Sequence, residues 1–221
     1  MRDATFSQGF QINKLFHDQN PTFEEMQDLI ESGLIPAFFE AKRSGKSISP
    51  NNVRKMLGLE IPNVLESVEP KIVVPAIGKF VAKDNFVVNT GKKTKVKIPY
   101  LGNNFQKWFL DKVEEDVPET TLSSRRVLKW LEDKEIIAGV GGEILAETRL
   151  TQVFYLISQQ SNGEEGVLLA NGYANIFYVR DVDSVLRPVR VGWDGVGWDV
   201  DAGSVGAYRW RDGRRVFSRS S

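Results

Sequence analysis

The fold is decided in the last third of the chain. The run Val167-Leu168-Leu169-Ala170-Asn171-Gly172-Tyr173-Ala174-Asn175-Ile176-Phe177-Tyr178-Val179 is followed, after Asp181-Val182-Asp183-Ser184, by Val185 to Trp193. After Asp194-Gly195 the chain continues from Gly197 to Ser204. Asn171-Gly172 lies between two apolar runs, and this dipeptide is favoured in two-residue type I′ turns because both central positions take positive φ. The spacing therefore predicts a hairpin over 167–179. Asp181 to Ser184 and Asp194-Gly195 carry the side chains of turns, so two further reversals are expected. The tandem Val191-Gly192-Trp193-Asp194 and Val196-Gly197-Trp198-Asp199 would place Trp193 opposite Trp198, a cross-strand pair worth roughly 0.2–1 kcal/mol. Pro188 cannot donate to a ladder, so a bulge or an edge position is expected there. Arg215-Val216-Phe217-Ser218 predicts one more strand.

Working upstream, Leu150, Val153, Phe154 and Ile157 recur at helical spacing, and Gly163 supplies a stop. Residues 147–221 thus read as a helix packed on an antiparallel meander. Residues 119–146 carry no clear period. Before them, Val73-Val74, Phe80-Val81 and Asn85-Phe86-Val87-Val88 are strand-like, and Val96, Ile98 and Tyr100 alternate with Lys95, Lys97 and Pro99. A hairpin with a lysine-rich tip at Asn89 to Lys93 is predicted, then a helix capped by Asn103 or Asn104 with Phe105, Trp108, Phe109 and Val113 facing inward.

The first sixty residues read as short helices. Thr22-Phe23-Glu24-Glu25 has capping-box spacing, with Phe23, Met26, Leu29 and Ile30 on one face and Gly33 as the stop. A second helix is expected from Pro36 to Gly45. A third would be capped by Ser49, with Pro50 in its first turn, Val53, Met56 and Leu57 on one face, and Gly58 as its end. Ile61-Pro62 to Glu69-Pro70 reads as a linker or loose helix. The expected organisation is a helical region, 1–67, and an α+β domain, 71–221, made of a hairpin-helix part, 71–117, and the helix with its meander, 147–221. The fold class is α+β: short N-terminal helices, then a mixed module ending in an antiparallel β-meander with a packed helix.

Composition narrows the chemistry. The 221 residues contain 29 Lys+Arg against 29 Asp+Glu, one His and no Cys. Zero net charge gives no global pull toward nucleic acid or a membrane surface. Without cysteine there is no disulfide, thiolate metal site or thiol nucleophile. A single histidine rules out a multi-histidine metal site. No cofactor is expected. Met1-Arg2-Asp3-Ala4-Thr5 does not open an apolar signal segment and no run is long enough to span a membrane, so a cytoplasmic location is expected.

Several stretches share a likeness: Lys79 to Lys83, Lys97-Ile98-Pro99-Tyr100-Leu101-Gly102-Asn103-Asn104-Phe105, Trp108-Phe109-Leu110, Gly163-Glu164-Glu165-Gly166, Asn171-Gly172, Asn175 to Val179, and Arg215 to Arg219. Over roughly 71–221 they resemble a family of bacterial hypothetical proteins with no assigned activity. Arg187-Pro188 departs from that pattern. The resemblance implies a soluble bacterial protein and nothing about its chemistry.

Motifs for catalysis are incomplete. Gly45-Lys46-Ser47 has Glu40 where a phosphate-binding loop needs its first glycine. Ala202-Gly203-Ser204-Val205-Gly206 lacks one glycine of a nucleophile elbow, and the single histidine, His17, is near the other end of the chain. Asp181/Asp183 and Asp199/Asp201 are i, i+2 carboxylate pairs without the further ligands of a calcium loop. Asp199 and Asp201 share a strand face near Trp198, which leaves a carboxylate-based hydrolase as one reading. Asn51, Asn52, Arg54 and Lys55 would be exposed on the second helix of a helix-turn-helix-like pair.

Two surfaces suit binding. Lys92, Lys93, Lys95 and Lys97 form a basic hairpin able to track phosphates, although edge lysines also guard against strand pairing. Residues 180–221 hold eight arginines and six aspartates, so their small surplus of charge argues against a phosphate-driven site there. Trp, Tyr and Arg are instead the usual anchors of protein interfaces. The expectation is a non-catalytic protein that holds a protein partner through Trp193, Trp198, Arg209, Trp210 and Arg211, with nucleic-acid binding through the lysines as the alternative and no membrane partner.

Overall fold

The computed structural model describes residues 6–46, 53, 57–58 and 63–220, and the chain divides into two units, 1–62 and 63–221. In the first unit, helices α1 (Phe6–Gln19), α2 (Phe23–Glu31) and α3 (Leu34–Arg43) follow one another. The capping box forms as its spacing requires: the Thr22 amide donates to Glu25 Oε2 at 2.7 Å and the Glu25 amide to Thr22 Oγ1 at 3.2 Å. Gly33, at φ 71°, separates α2 from α3 in a conformation that a side chain resists. No residue of α2 or α3 is buried, so the apolar face read from Phe23 and Ile30 is exposed. Gly45 follows α3 in a turn, so a helix stands where a phosphate-binding loop needs a strand. His17 is exposed. The helix expected from Ser49 to Gly58, with Asn51, Asn52, Arg54 and Lys55, lies largely outside the described residues, as does Ser47.

The second unit is α+β. Its strands are β1 (Leu65–Val74), β2 (Ile77–Val81), β3 (Tyr100–Leu101), β4 (Val113–Val117), β5 (Thr120–Val127), β6 (Leu131–Glu132), β7 (Glu147–Thr148), β8 (Asn175–Arg180), β9 (Leu186–Trp193), β10 (Trp198–Ala202), β11 (Arg209–Trp210) and β12 (Arg215–Arg219). The helices of this unit are α4 (Ala82–Asn85), α5 (Asn103–Phe109), α6 (Asp133–Val140), α7 (Glu143–Ala146) and α8 (Leu150–Gln159). A mixed sheet runs β1-β5-β12-β8-β9-β10-β3, with β7 also beside β8, while β6 pairs with β11 and β2 with β4 in two small ribbons.

Alternation along the central strands separates two cores. Phe177, Val179, Val189, Val191, Trp198, Val200 and Phe217 meet α8 and α5 in one. Ile176, Tyr178, Leu186 and Val216 meet α6 and Trp210 in the other. The α8 N-terminus is held by the buried carboxylate of Glu114, which accepts from the Leu150 and Thr151 amides and from Thr151 Oγ1 at 3.1, 3.0 and 2.7 Å. A negative group there also meets the positive end of the helix dipole.

The structure corrects several readings. Val167–Ala170 are not a strand and Asn171-Gly172 closes no hairpin, because both edges of β8 are already taken. One edge pairs with β9, and the other with β12 in its first half and β7 in its second. The loop is instead held by Asn175, whose side chain accepts from the Leu169 amide at 2.8 Å and donates to its carbonyl at 3.0 Å. The stretch up to Pro70 is no linker, since β1 begins at Leu65 and pairs with β5. The predicted lysine hairpin reduces to a single bridge, Asn89 with Ile98, and α4 ends where a strand from Asn85 was expected. Val113 begins β4 and is exposed rather than facing inward from a helix. The meander β8-β9-β10 is antiparallel, but β12 joins β8 in parallel. Pro188 is in a central strand. Its carbonyl accepts from the Gly203 amide at 3.0 Å, so its polar edge faces the β10 side where that strand has just ended at Ala202, and the missing N–H costs no ladder bond.

Candidate interaction surface

The ribbon of β6 and β11 builds the clearest surface. Arg209 lies opposite Glu132 and Trp210 opposite Leu131. With a period of two, Trp210 and Leu131 turn into the core while Arg209, Arg211 and Trp130 turn outward. Trp130 is 49% exposed. The guanidinium carbons of Arg209 and Arg211 sit 5.9 and 4.8 Å from its ring centroid, close enough for cation–π attraction. Among the described residues neither arginine forms an ion pair. Glu132, opposite Arg209, is the N-cap residue of α6, and its amide donates to Glu135 Oε2 at 2.8 Å. Lys129 is exposed beside Trp130.

What holds this ribbon is a buried carboxylate. Asp133, fully buried, accepts from Trp210 Nε1 at 2.7 Å, from the Tyr178 hydroxyl at 2.9 Å and from the Gly206 amide at 2.7 Å. Burial first, and then the Asp133 charge and hydrogen bond, push the Tyr178 hydroxyl far above its ordinary range, so it stays a donor. Trp210 is thereby pinned, and the two arginines either side of it are presented outward.

The residues singled out from the sequence divide accordingly. Arg209 and Arg211 are exposed on this surface. Trp210 is its buried tether, 3% exposed, and not a contact residue. Trp198 is fully buried in the other core, where its Nε1 donates to the Gln160 carbonyl at 2.8 Å. Trp193 is half-buried and stands edge-on to Trp198, with centroids 5.3 Å apart and planes at 69°, as the tandem motif anticipates. Its ring lies so close to Gly163 that a Cβ there would come within 2.3 Å of it. The burial of Trp198 and Trp210 therefore corrects the expectation that these two side chains hold a partner, and Trp193 remains only partly exposed. Trp130 was missed by sequence reading. Leu128-Lys129-Trp130-Leu131-Glu132 mixes apolar and charged residues without a strand period, so the sequence carries no signal that assigns it.

The other candidates are placed as follows. Lys92, Lys93 and Lys95 are exposed on the loop closed by Asn89 and Ile98, whereas Lys97 is half-buried. A cleft of about 360 Å³ beside this loop is lined by Asp84, Asn89, Lys95 and Ser158, among others. Asp199 and Asp201 lie on β10. Asp201 pairs with Arg190 at 3.9 Å, while Asp199 Oδ1 is buried without a partner, and burial together with Asp194 raises its carboxyl above the usual range. Among the described residues no three acidic, histidine or cysteine groups cluster as a metal site would require. Ser204 follows β10 in a turn with no helix after it, and accepts from Arg187 Nη1 at 3.1 Å. Asp181 organises the β8–β9 turn: it accepts from the Asp183 and Val185 amides and from Arg187 Nε, which offset the upward pull of burial and hold its carboxyl below the usual range. Arg187 in turn lies over Trp108, 4.1 Å from the ring centroid.

No helix among the described residues is long and apolar enough to cross a membrane. Neither a family model nor a curated protein nor a solved structure matches this chain. The likeness of residues 71–221 to bacterial hypothetical proteins gains no support from those comparisons.

Proposed function

We propose that the second unit is a non-catalytic interaction module that holds a protein partner through Trp130, Arg209 and Arg211. The observation that carries this reading is the half-exposed Trp130 ring flanked by two guanidinium groups that form no ion pair among the described residues. Trp and Arg together are the residue types that supply most of the binding energy at protein interfaces. Arg209 and Arg211 over one aromatic ring, with exposed Lys129 adjacent in sequence, suit a partner segment that presents an apolar side chain beside carboxylates. A photo-cross-linker placed at Lys129 identifies the partner, and the purified partner is then titrated against variants. Trp130→Ala and the double variant Arg209→Ala/Arg211→Ala should each weaken binding by about tenfold or more. Binding equal to that of the wild-type chain in both variants overturns the proposal.

A second reading is nucleic-acid binding through the exposed loop lysines. It is supported by Lys92, Lys93 and Lys95 lying in one bridged loop, with no ion pair to any of them among the described residues. The affinity for single-stranded DNA or RNA would then fall steeply with salt, and replacing the three lysines by alanine would flatten that slope. An unchanged slope removes this reading.

A further inference from the structure

Arg215 opens β12 on the strand face that also carries Phe217, and it is half-buried. It lines two clefts, of about 400 and 310 Å³, that share Arg215 and Gly166 in their walls. Its Nη1 donates to the Val167 carbonyl at 2.6 Å, but its Nε is buried with no partner, and among the described residues no carboxylate pairs with it. A buried charged donor left unsatisfied is costly, more so than a neutral one. Burial also lowers its pKa, which marks an uncompensated cation.

The walls of these clefts are pre-organised. The buried Gln160 side chain donates to the Glu164 and Leu168 carbonyls at 2.7 and 3.0 Å and accepts from the Leu168 amide at 2.7 Å. Asn175 holds Leu169 from the other side. With Nη1 committed to Val167, the edge of the guanidinium without a hydrogen-bond partner among the described residues is Nε with Nη2, and two parallel N–H groups on one edge match the two oxygens of a carboxylate. Val68, Pro70, Val167, Leu168 and Ala170 supply apolar wall beside it, while Glu69 and Glu165 also line the clefts and repel a dianion.

We infer that Arg215 anchors a site for a small monocarboxylate carrying a short apolar tail. The test is a titration of the isotopically labelled full chain with hexanoate, acetate and inorganic phosphate, following the amide resonances of Gly163, Gly166, Val167 and Leu168. Hexanoate should bind saturably with a Kd of about 1 mM or lower, and acetate more weakly. Arg215→Lys, which keeps the charge but loses the paired edge, should weaken hexanoate by about tenfold or more. Glu165→Gln, at an exposed position, should tighten it about twofold by removing a like charge. No saturable shift by about 10 mM, phosphate binding tighter than hexanoate, or unchanged binding in Arg215→Lys each overturns the inference. If Arg215→Lys fails to fold, Glu165→Gln decides, and an unaltered hexanoate affinity there is the refuting result.

Discussion

Replacing Asp133 by alanine tests the link between the buried core and the proposed surface. The carboxylate is the acceptor for the Trp210 indole N–H, the Tyr178 hydroxyl and the Gly206 amide, all from segments that meet on one side of the sheet. Alanine strands two buried donors, the Trp210 indole and the Tyr178 hydroxyl, each costing about 1–3 kcal/mol without a partner, while the Gly206 amide belongs to an exposed residue and can turn to water. Simple addition gives about 2–6 kcal/mol, but relaxation and the relief of burying a carboxylate pull the total down, so about 2–4 kcal/mol is expected. Tyr178→Phe removes one donor and leaves the carboxylate two, and should cost only about 0.5–1.5 kcal/mol. Asp133→Asn falls between them: its oxygen can still serve Tyr178 and Trp210 on the Oδ1 side, but its amide N–H₂ then faces the Gly206 N–H. Urea unfolding at neutral pH, followed by tryptophan fluorescence and far-UV circular dichroism, measures all three. An Asp133→Ala cost no larger than that of Tyr178→Phe would refute the reasoning, because the network would then contribute nothing beyond one bond. A folded Asp133→Ala protein should also bind the partner more weakly, since Trp210 no longer fixes where Arg209 and Arg211 stand.

Other outcomes follow from the packing. Trp198→Ala should cost about 3–5 kcal/mol by opening a cavity beside α8, whereas Trp198→Phe should lose less by retaining most of the ring volume; denaturant midpoints distinguish them. Gly163→Ala should destabilise by more than about 1 kcal/mol, because φ is 70° and the new Cβ would press on the Trp193 ring, and a near-neutral result in thermal unfolding would contradict that contact. Asp181 contributes stability that is fully present above the unfolded-state pKa of about 3.9 and is lost as pH falls through its lower folded value. The stability difference between wild type and Asp181→Asn should therefore stay constant above about pH 5 and shrink below about pH 4, as followed by unfolding at a series of pH values.

The sequence by itself determined the elements whose causes are local. The Thr22/Glu25 cap, the α8 stripe of Leu150, Val153 and Ile157, the turns at Asp181 and Asp194, and the facing of Trp193 with Trp198 all depend on residues within a few positions of one another. Those were legible, as was the α+β class. Tertiary structure alone decided which strand edges were free. Asn171-Gly172 has the chemistry of a hairpin turn, yet β8 meets β9 on one side and β7 with β12 on the other, so Val167–Ala170 had no ladder to join and became the wall of a cleft. The same long-range competition divided the tryptophans. Residue type is equal among them, but Trp198 and Trp210 found buried acceptors in Gln160 and Asp133, while Trp130, one position before a two-residue strand, was left facing solvent beside two arginines from far downstream in the chain. Burial depends on what arrives from elsewhere in the chain, and a linear pattern holds no record of that arrival.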